Sequence, residues 1–493
     1  MPPNILLLIS DSQRVDTLGV VGKTPCRTPT WDRIANEGVL LDHLRSTGAL
    51  CSPSRASIFT GLFPHQVGMP HSPYATLELK TEDAASREIT RPPISHYLRQ
   101  VGYQCFHAGV WGLGESNITR WVDRAAASDE DTGDYAAWCR SQGIPSGLVF
   151  DDPKRCALFR SPVPPHMSIP RPAVLEIPED KELNRWILQN GITLLNERQP
   201  NRPWFAVISF YGPHPPFIVP EAYYNLYDPQ TIPQPPNWQP SAGEPSFLAT
   251  SYYRRLRHDW GDDFNAWRKS IAVYWGFVTY IDSLFAECLD WLDNSGLADQ
   301  TLVTMISDHG EMLGQHGLWQ KFCPYEEAIR VPWVMRWPGK NSSGGRVTMD
   351  VSHVDIAPTL LAAAGIDLEQ LKLEGENLLP TIDGDRPMES ARDCFSQYTL
   401  APDFAGWHGV QNWRAIIRRP WKYVLHQNGE RELFHLENDP FEVNNLAFAD
   451  TQDIAQTLGE TLLGWSRRIG DPFAAMVSSC PPATPAAAKA SAR

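Results

Sequence analysis

Ile5-Leu6-Leu7-Leu8-Ile9, followed at once by Ser10-Asp11-Ser12-Gln13-Arg14-Val15-Asp16, is the stretch on which the fold turns. An apolar run of strand length with no polar alternation leaves neither face for water, which is the pattern of a central parallel strand covered on both sides. In such sheets ligands sit beyond the carboxyl ends of the strands. Asp11, the first charged residue after the run, therefore stands where a metal site would be built. A second run, Leu302-Val303-Thr304-Met305-Ile306, ends in the same way with Ser307-Asp308-His309-Gly310-Glu311. An aspartate after a strand can be no more than a helix cap. Two strand ends that together deliver carboxylates and an imidazole suit a hard divalent cation, such as Ca²⁺, Mg²⁺ or Mn²⁺, better than a structural zinc.

Length and composition place this pair of strands in a large α/β enzyme. The chain has 493 residues, 42% of them hydrophobic, enough for one large core and a smaller one. A net charge of −14 argues against nonspecific nucleic-acid binding. No stretch reaches the ~20 apolar residues of a membrane span, and no basic leader precedes Ile5, so the expectation is a soluble cytoplasmic protein. The nine cysteines are odd in number and show no CxxC spacing, which is the pattern of reduced thiols rather than of a disulfide scaffold or zinc cluster. Helical periodicity covers residues 92–101, 181–197 and 262–292, and strands are expected at 103–108 and 204–210. Trp267, Trp275 and Trp291 fall on the long third helix as core or interface residues. The Pro-rich segment 212–262 reads as an ordered excursion without regular structure.

The chemistry is carried by Cys51-Ser52-Pro53-Ser54-Arg55-Ala56-Ser57, running on to Thr60-Gly61-Leu62-Phe63-Pro64. As local structure alone it is a Ser/Pro turn opening a helix at Ala56. As a motif it resembles the signature of the type I sulfatases, formylglycine-dependent hydrolases of the alkaline phosphatase superfamily. The resemblance extends over residues 2 to 470, through Trp319-Gln320-Lys321, Ala328-Ile329-Arg330-Val331-Pro332-Trp333, Asp350 to Leu360, and Trp413 to Leu446. It implies an alkaline-phosphatase-like sandwich of helices around a large mixed, mostly parallel sheet, with a smaller C-terminal antiparallel sheet. The division expected is a catalytic domain over 1–395, an α/β subdomain over 396–477 and a disordered tail over 478–493. It further implies that Cys51 is oxidised to formylglycine by a maturation enzyme and that one hydroxyl of the hydrated aldehyde attacks sulfur. One divalent cation, Ca²⁺ before Mg²⁺ or Mn²⁺, would be held by Asp11, Ser12, residue 51, Asp308 and His309, with Gln13 as the alternative to Ser12. Arg55, one helical turn from Cys51, can hold the diol and neutralise charge, and His214 and Lys321 match the family's histidine and lysine that contact the transferred group and the leaving oxygen. The substrate implied is a small-molecule or carbohydrate sulfate ester, and a homo-oligomer is compatible with it.

The chain departs from the family pattern in three places. Ser12 replaces the second of two adjacent aspartates, which removes one negative charge from the metal site. Val110 and Gly112, in Gly109-Val110-Trp111-Gly112-Leu113-Gly114, stand where the pattern Gly-Lys-x-His-x-Gly supplies a lysine and a histidine. His309 follows Asp308 where many arylsulfatases carry asparagine, a feature shared with the iduronate and choline sulfatase-like branches and with the related phosphonate monoester hydrolases. His107 and Asn117 are the candidates to compensate for the missing pair. Hydrolysis of sulfate esters is the first reading. A phosphonate monoester or phosphodiester hydrolase with the same nucleophile is the alternative, and a binding homologue without turnover is the third.

Overall fold

The computed structural model describes residues 2–72, 89–114, 118–127, 134–144, 172–239, 245, 263–340, 344–384, 392–400 and 411–479. Its centre is an eight-stranded sheet, in the spatial order β12 (Gly345–Val347), β2 (Val39–Leu41), β11 (Trp333–Arg336), β9 (Thr301–Ser307), β1 (Asn4–Ser10), β7 (Trp204–Ser209), β4 (Gln104–Gly109) and β5 (Arg124–Ala127). β1 is parallel to both neighbours, so that Leu7 lies opposite Val207 on one side and Thr304 on the other. β11 runs antiparallel to β9 and β2. The sheet is mixed and mostly parallel, as the apolar runs imply.

The lack of alternation in β1 has a direct cause. Leu6 and Leu8 enter one apolar core with Ala206, Ile208, Val303 and Met305, while Ile5, Leu7 and Ile9 enter a second with Phe205, Val207, Leu302 and Ile306. Each such side chain taken out of water contributes about 1.5–3 kcal/mol, so both faces select for apolar residues. Helices Leu183–Asn196 and Phe264–Asn294 supply the first core, and Cys51–Thr60, Ile94–Gln100 and Ile356–Ala363 the second. Trp267 and Trp275 are buried in the first core, and Trp291 packs against it. Inside the Pro-rich segment, β8 (Ile218–Val219) and the single helical turn Glu221–Tyr224 do form. β8 pairs with β6 (Ala173–Val174), a contact between distant segments that proline counting cannot anticipate.

A second sheet of three short strands, β10 (Arg330–Val331), β3 (Leu44–Arg45) and β13 (Val351–Ser352), leads to a four-stranded antiparallel sheet. The latter is β14 (Cys394–Tyr398), β15 (Trp413–Arg418), β16 (Trp421–His426) and β17 (Arg431–His435) in sequence order. Helix Gln452–Arg468 covers it, placing Leu458, Leu462 and Trp465 on Ile416, Tyr423 and Leu433. A last helix runs to Ser479; the rest of the expected tail, 480–493, lies outside the described residues, as do 240–244 and 246–262 of the Pro-rich stretch. Seven cysteines are described and all are free thiols; Cys156 and Cys480 lie outside. Among the described residues no helix is long and apolar enough to cross a membrane.

One long-range contact fixes the helix that follows β1. Helix Pro29–Glu37 has no side-chain cap of its own, and the orphan N–H groups of Thr30 and Trp31 donate instead to the carboxylate of Asp282, at 3.1 Å each. Asp282 sits in the middle of helix Phe264–Asn294, so the bond pins two helices together. Asp282→Ala is expected to lower stability by about 1–3 kcal/mol, read from denaturant unfolding, by leaving both donors buried and unpaired.

Candidate active site

The carboxyl ends of β1, β7 and β9 meet at one place. Asp11 follows β1, Asp308 and His309 follow β9, and the Asp11 N–H donates to the Gly212 carbonyl beyond β7 at 3.2 Å. Cys51 is brought there as the first residue of helix Cys51–Thr60, one turn before Arg55; the helix begins five residues earlier than Ala56 because Pro53 is tolerated in its first turn. One ligand atom from each of Asp11, Cys51, Asp308 and His309 lies within 4.8 Å of the others. Lys321 Nζ is 3.3 Å from Cys51 Sγ and 2.7 Å from His214 Nε2. The sequence-identified set Asp11, Cys51, Arg55, His214, Asp308, His309 and Lys321 thus converges on one cluster.

The hydrogen bonds decide which atoms remain available. His309 Nδ1 is 3.0 Å from the Gly310 carbonyl, so it carries the proton, and the lone pair of Nε2 faces Cys51 Sγ at 3.0 Å and Asp11 Oδ1 at 3.5 Å. The same logic applies to His214, whose Nδ1 lies 2.5 Å from the Pro215 carbonyl and whose Nε2 accepts from Lys321. Arg55, fully buried, donates to Asp308 Oδ2 at 2.9 Å, Asp11 Oδ2 at 3.1 Å, Ser209 Oγ at 2.7 Å and the Val110 carbonyl at 2.9 Å. The Oδ1 atoms of both aspartates are thereby left on the side of His309. Ser12, held in the left-handed region at φ 65°, donates its hydroxyl to Asp11 Oδ1 at 3.0 Å and its N–H to Asp308 Oδ1 at 3.2 Å. In this arrangement it orients the two carboxylates. The Gln13 amide oxygen is buried without a partner.

Two carboxylates and an imidazole lone pair, buried beside residue 51, fit one divalent cation by charge and by donor type, and the Gly310 carbonyl supplies the outer contact that aims the imidazole. The electrostatics carry the same message. Burial would raise the Asp11 carboxyl, but His214, His309, Arg55 and Lys321 hold it far below the usual range. Asp308 is pushed up to about 7 by burial and by the Asp11 charge. Burial works against the Lys321 ammonium, yet Cys51, Asp11, Asp308 and Glu311 outweigh it and keep the group charged. Burial, then the Lys321 charge, lowers His214 to about 4, so it is neutral near pH 7. Burial and Asp11 push the Cys51 thiol well above its ordinary value, making the unmodified side chain a poor nucleophile.

Sequence reasoning missed the scaffold behind these groups. Ser46 donates to the Asp308 carbonyl at 2.8 Å, Ser54 Oγ lies 2.5 Å from the same carbonyl, and His353 Nδ1 is 3.0 Å from Ser54. Small hydroxyls and a histidine distant in sequence give no local signal. His107 does not enter the site; its Nε2 faces the Val110 carbonyl at 3.3 Å and its ring packs edge-on to Phe59 and Trp111. Asn117 lies outside the described residues.

Gly112 explains one departure from the family pattern. It has φ 76°, and a Cβ there would fall 2.6 Å from Arg55 Cδ. Gly112→His, which reinstates the family residue, is therefore expected to displace Arg55 and to lower both melting temperature and turnover rather than raise turnover; thermal unfolding and steady-state assays on the same preparation check it.

A family model described as Sulfatase matches residues 3–366, and one described as N-sulphoglucosamine sulphohydrolase, C-terminal, matches residues 314–467. The chain is 28% identical to an arylsulfatase of Clostridium perfringens over 90% of each chain, and 24% identical to a choline-sulfatase of Rhizobium meliloti over 90% of this chain and 82% of that one. Its structure is similar to the phosphonate monoester hydrolase of Agrobacterium radiobacter, with a TM-score of 0.72 and 25% identity over 96% of this chain and 97% of the other. With the apolar strand runs, the Cys51 motif and the cluster at the strand ends, these likenesses identify the chain as a member of the sulfatase family of the alkaline phosphatase superfamily.

Proposed function

We propose that the protein hydrolyses sulfate esters, with residue 51 as formylglycine and one divalent cation, Ca²⁺, on Asp11, Asp308, His309 and residue 51. The observation that carries the reading is the convergence of those four residues within 4.8 Å, with Lys321 3.3 Å from Sγ. When present, the cation polarises the transferred group and the hydrated aldehyde supplies the attacking oxygen. The Lys321 ammonium lies where the nonbridging oxygens of a bound sulfate ester need positive charge. Lys321 and the Nε2 of neutral His214 share one proton, and this pair can deliver it to the leaving oxygen and take it back in the next cycle. Arg55 fixes both carboxylates and so holds the cation's place rather than the substrate's.

A second reading, hydrolysis of phosphonate monoesters or phosphodiesters at the same site, is favoured by Val110 and Gly112 in place of a lysine and a histidine, and by likeness to a phosphonate monoester hydrolase. Co-production with a formylglycine-generating enzyme is expected to lower the mass of the Cys51 peptide by about 18 Da and to switch on turnover, which Cys51→Ala abolishes. Full activity with an unmodified thiol overturns the proposal. An aryl sulfate assayed beside an aryl phosphonate monoester decides between the two readings by their kcat/KM ratio. Chelation should remove either activity, and Asp11→Ala with Asp308→Ala should abolish metal binding as measured by elemental analysis.

A further inference from the structure

Lys321 sits on strained backbone. The residues on either side of it, Gln320 at φ 62° and Phe322 at φ 79°, both occupy the left-handed region, and neither is glycine. Such conformations are costly for residues with a Cβ and persist where surrounding bonds over-determine them. Here the bonds are explicit. The Gln320 N–H donates to Glu311 Oε1 at 2.5 Å, and the Gln320 carbonyl accepts from the Met312 N–H at 2.7 Å. The Phe322 N–H donates to the Ala49 carbonyl at 3.1 Å, and the Phe322 carbonyl accepts from the indole N–H of Trp413 at 2.8 Å. Every hydrogen-bonding group of the two flanking backbone units is thus pinned.

Two of those four pins are side chains. Glu311, fully buried, also accepts the Leu313 N–H at 3.3 Å, so one carboxylate closes the loop from 311 to 320. Trp413 belongs to β15 of the small C-terminal sheet. The neighbouring β14 touches the other half of the site, since Gln397 exchanges backbone bonds with Thr47 at 3.0 Å and Ala49 at 3.2 Å, just before Cys51. The small sheet therefore braces the Cys51 segment and the Lys321 segment together, and Ala49 to Phe322 is the direct bond between them.

We propose that Glu311 and Trp413 are positioning residues for Lys321, holding its ammonium on residue 51 through the strained backbone of Gln320 and Phe322. The inference rests on the proposed role of Lys321 in turnover. The test uses Trp413→Phe, which keeps the ring and removes the donor, with Glu311→Ala and the acceptor-retaining Glu311→Gln. Trp413→Phe and Glu311→Ala are expected to lower kcat about tenfold with KM little changed, while Glu311→Gln keeps most of the activity. In a Lys321→Ala background the same changes should add nothing further. A readout independent of turnover is acetylation of the Lys321 amine by acetic anhydride, followed by peptide mass spectrometry. It should be slow in the parent and several-fold faster in Trp413→Phe. Unchanged labelling in folded Trp413→Phe, or an equal loss of kcat with and without Lys321, overturns the inference. If Lys321→Ala itself retains full activity, the proposed role of the lysine fails, and the labelling result still decides whether Trp413 and Glu311 hold it.

Discussion

Two aspartates placed side by side in a dry site repel each other, and the site exists because Arg55 lies between them. Its guanidinium binds Asp11 at the end of β1 and Asp308 at the end of β9, then reaches Ser209 at the end of β7 and the carbonyl of Val110 just past β4. One cation from the helix that starts with Cys51 thereby ties four strand ends to residue 51, the nucleophile of the proposed function. A buried pair broken on one side leaves an uncompensated charge, at a cost of about 3–5 kcal/mol, so each of these elements constrains the others. Geometry at residue 51 is a consequence of that tie as much as of the Cys51 motif.

The departures at Val110 and Gly112 belong to the same constraint. The segment 109–114 passes so close to Arg55 that a Cβ at residue 112 meets its stem, and the carbonyl of Val110 is spent on its guanidinium. A loop that serves as an acceptor for the arginine, with its backbone pressed against the stem, has no room there for an added imidazole. Val110 itself is buried in the apolar core.

The carboxylate half of the cluster was legible in the sequence because it is local. An apolar run that ends in a carboxylate states both the strand and its charged terminus, as at Asp11 and Asp308. His214 and Lys321 became legible through the family motif, since a histidine in a Pro-rich turn and a lysine after a tryptophan carry no local signal. Ser46, Ser54, His353 and Trp413 were not legible in their roles, because each acts across a long stretch of chain through a bond to a distant backbone group, and Glu311 was not because a carboxylate closing a short loop leaves no pattern in the sequence. The start of the helix at Cys51 rather than Ala56 was missed for a related reason. Ser and Pro favour turns in isolation, but a proline in the first turn loses no helical bond, and the tertiary setting turns the turn into the helix.

The sulfate and the phosphonate readings of the site share one demand on charge. Without a cation, Asp11 and Asp308 balance Arg55 and Lys321, so a divalent cation leaves the site with a formal charge of about +2. A sulfate monoester, a phosphonate monoester and a phosphodiester each present one negative charge at neutral pH, whereas a phosphate monoester presents nearly two. Ser12 in place of an aspartate adds one positive unit relative to the family pattern, and Val110 in place of a lysine removes one. The formal net charge is unchanged, and with a cation bound more of the positive charge would be carried by that cation. A wall lysine reads the nonbridging oxygens at a fixed position, but a central cation attracts any monoanion of tetrahedral shape. Under the proposed function the substitutions would preserve affinity for the charge class and relax discrimination within it, leaving Lys321 and His214 to discriminate at the leaving group.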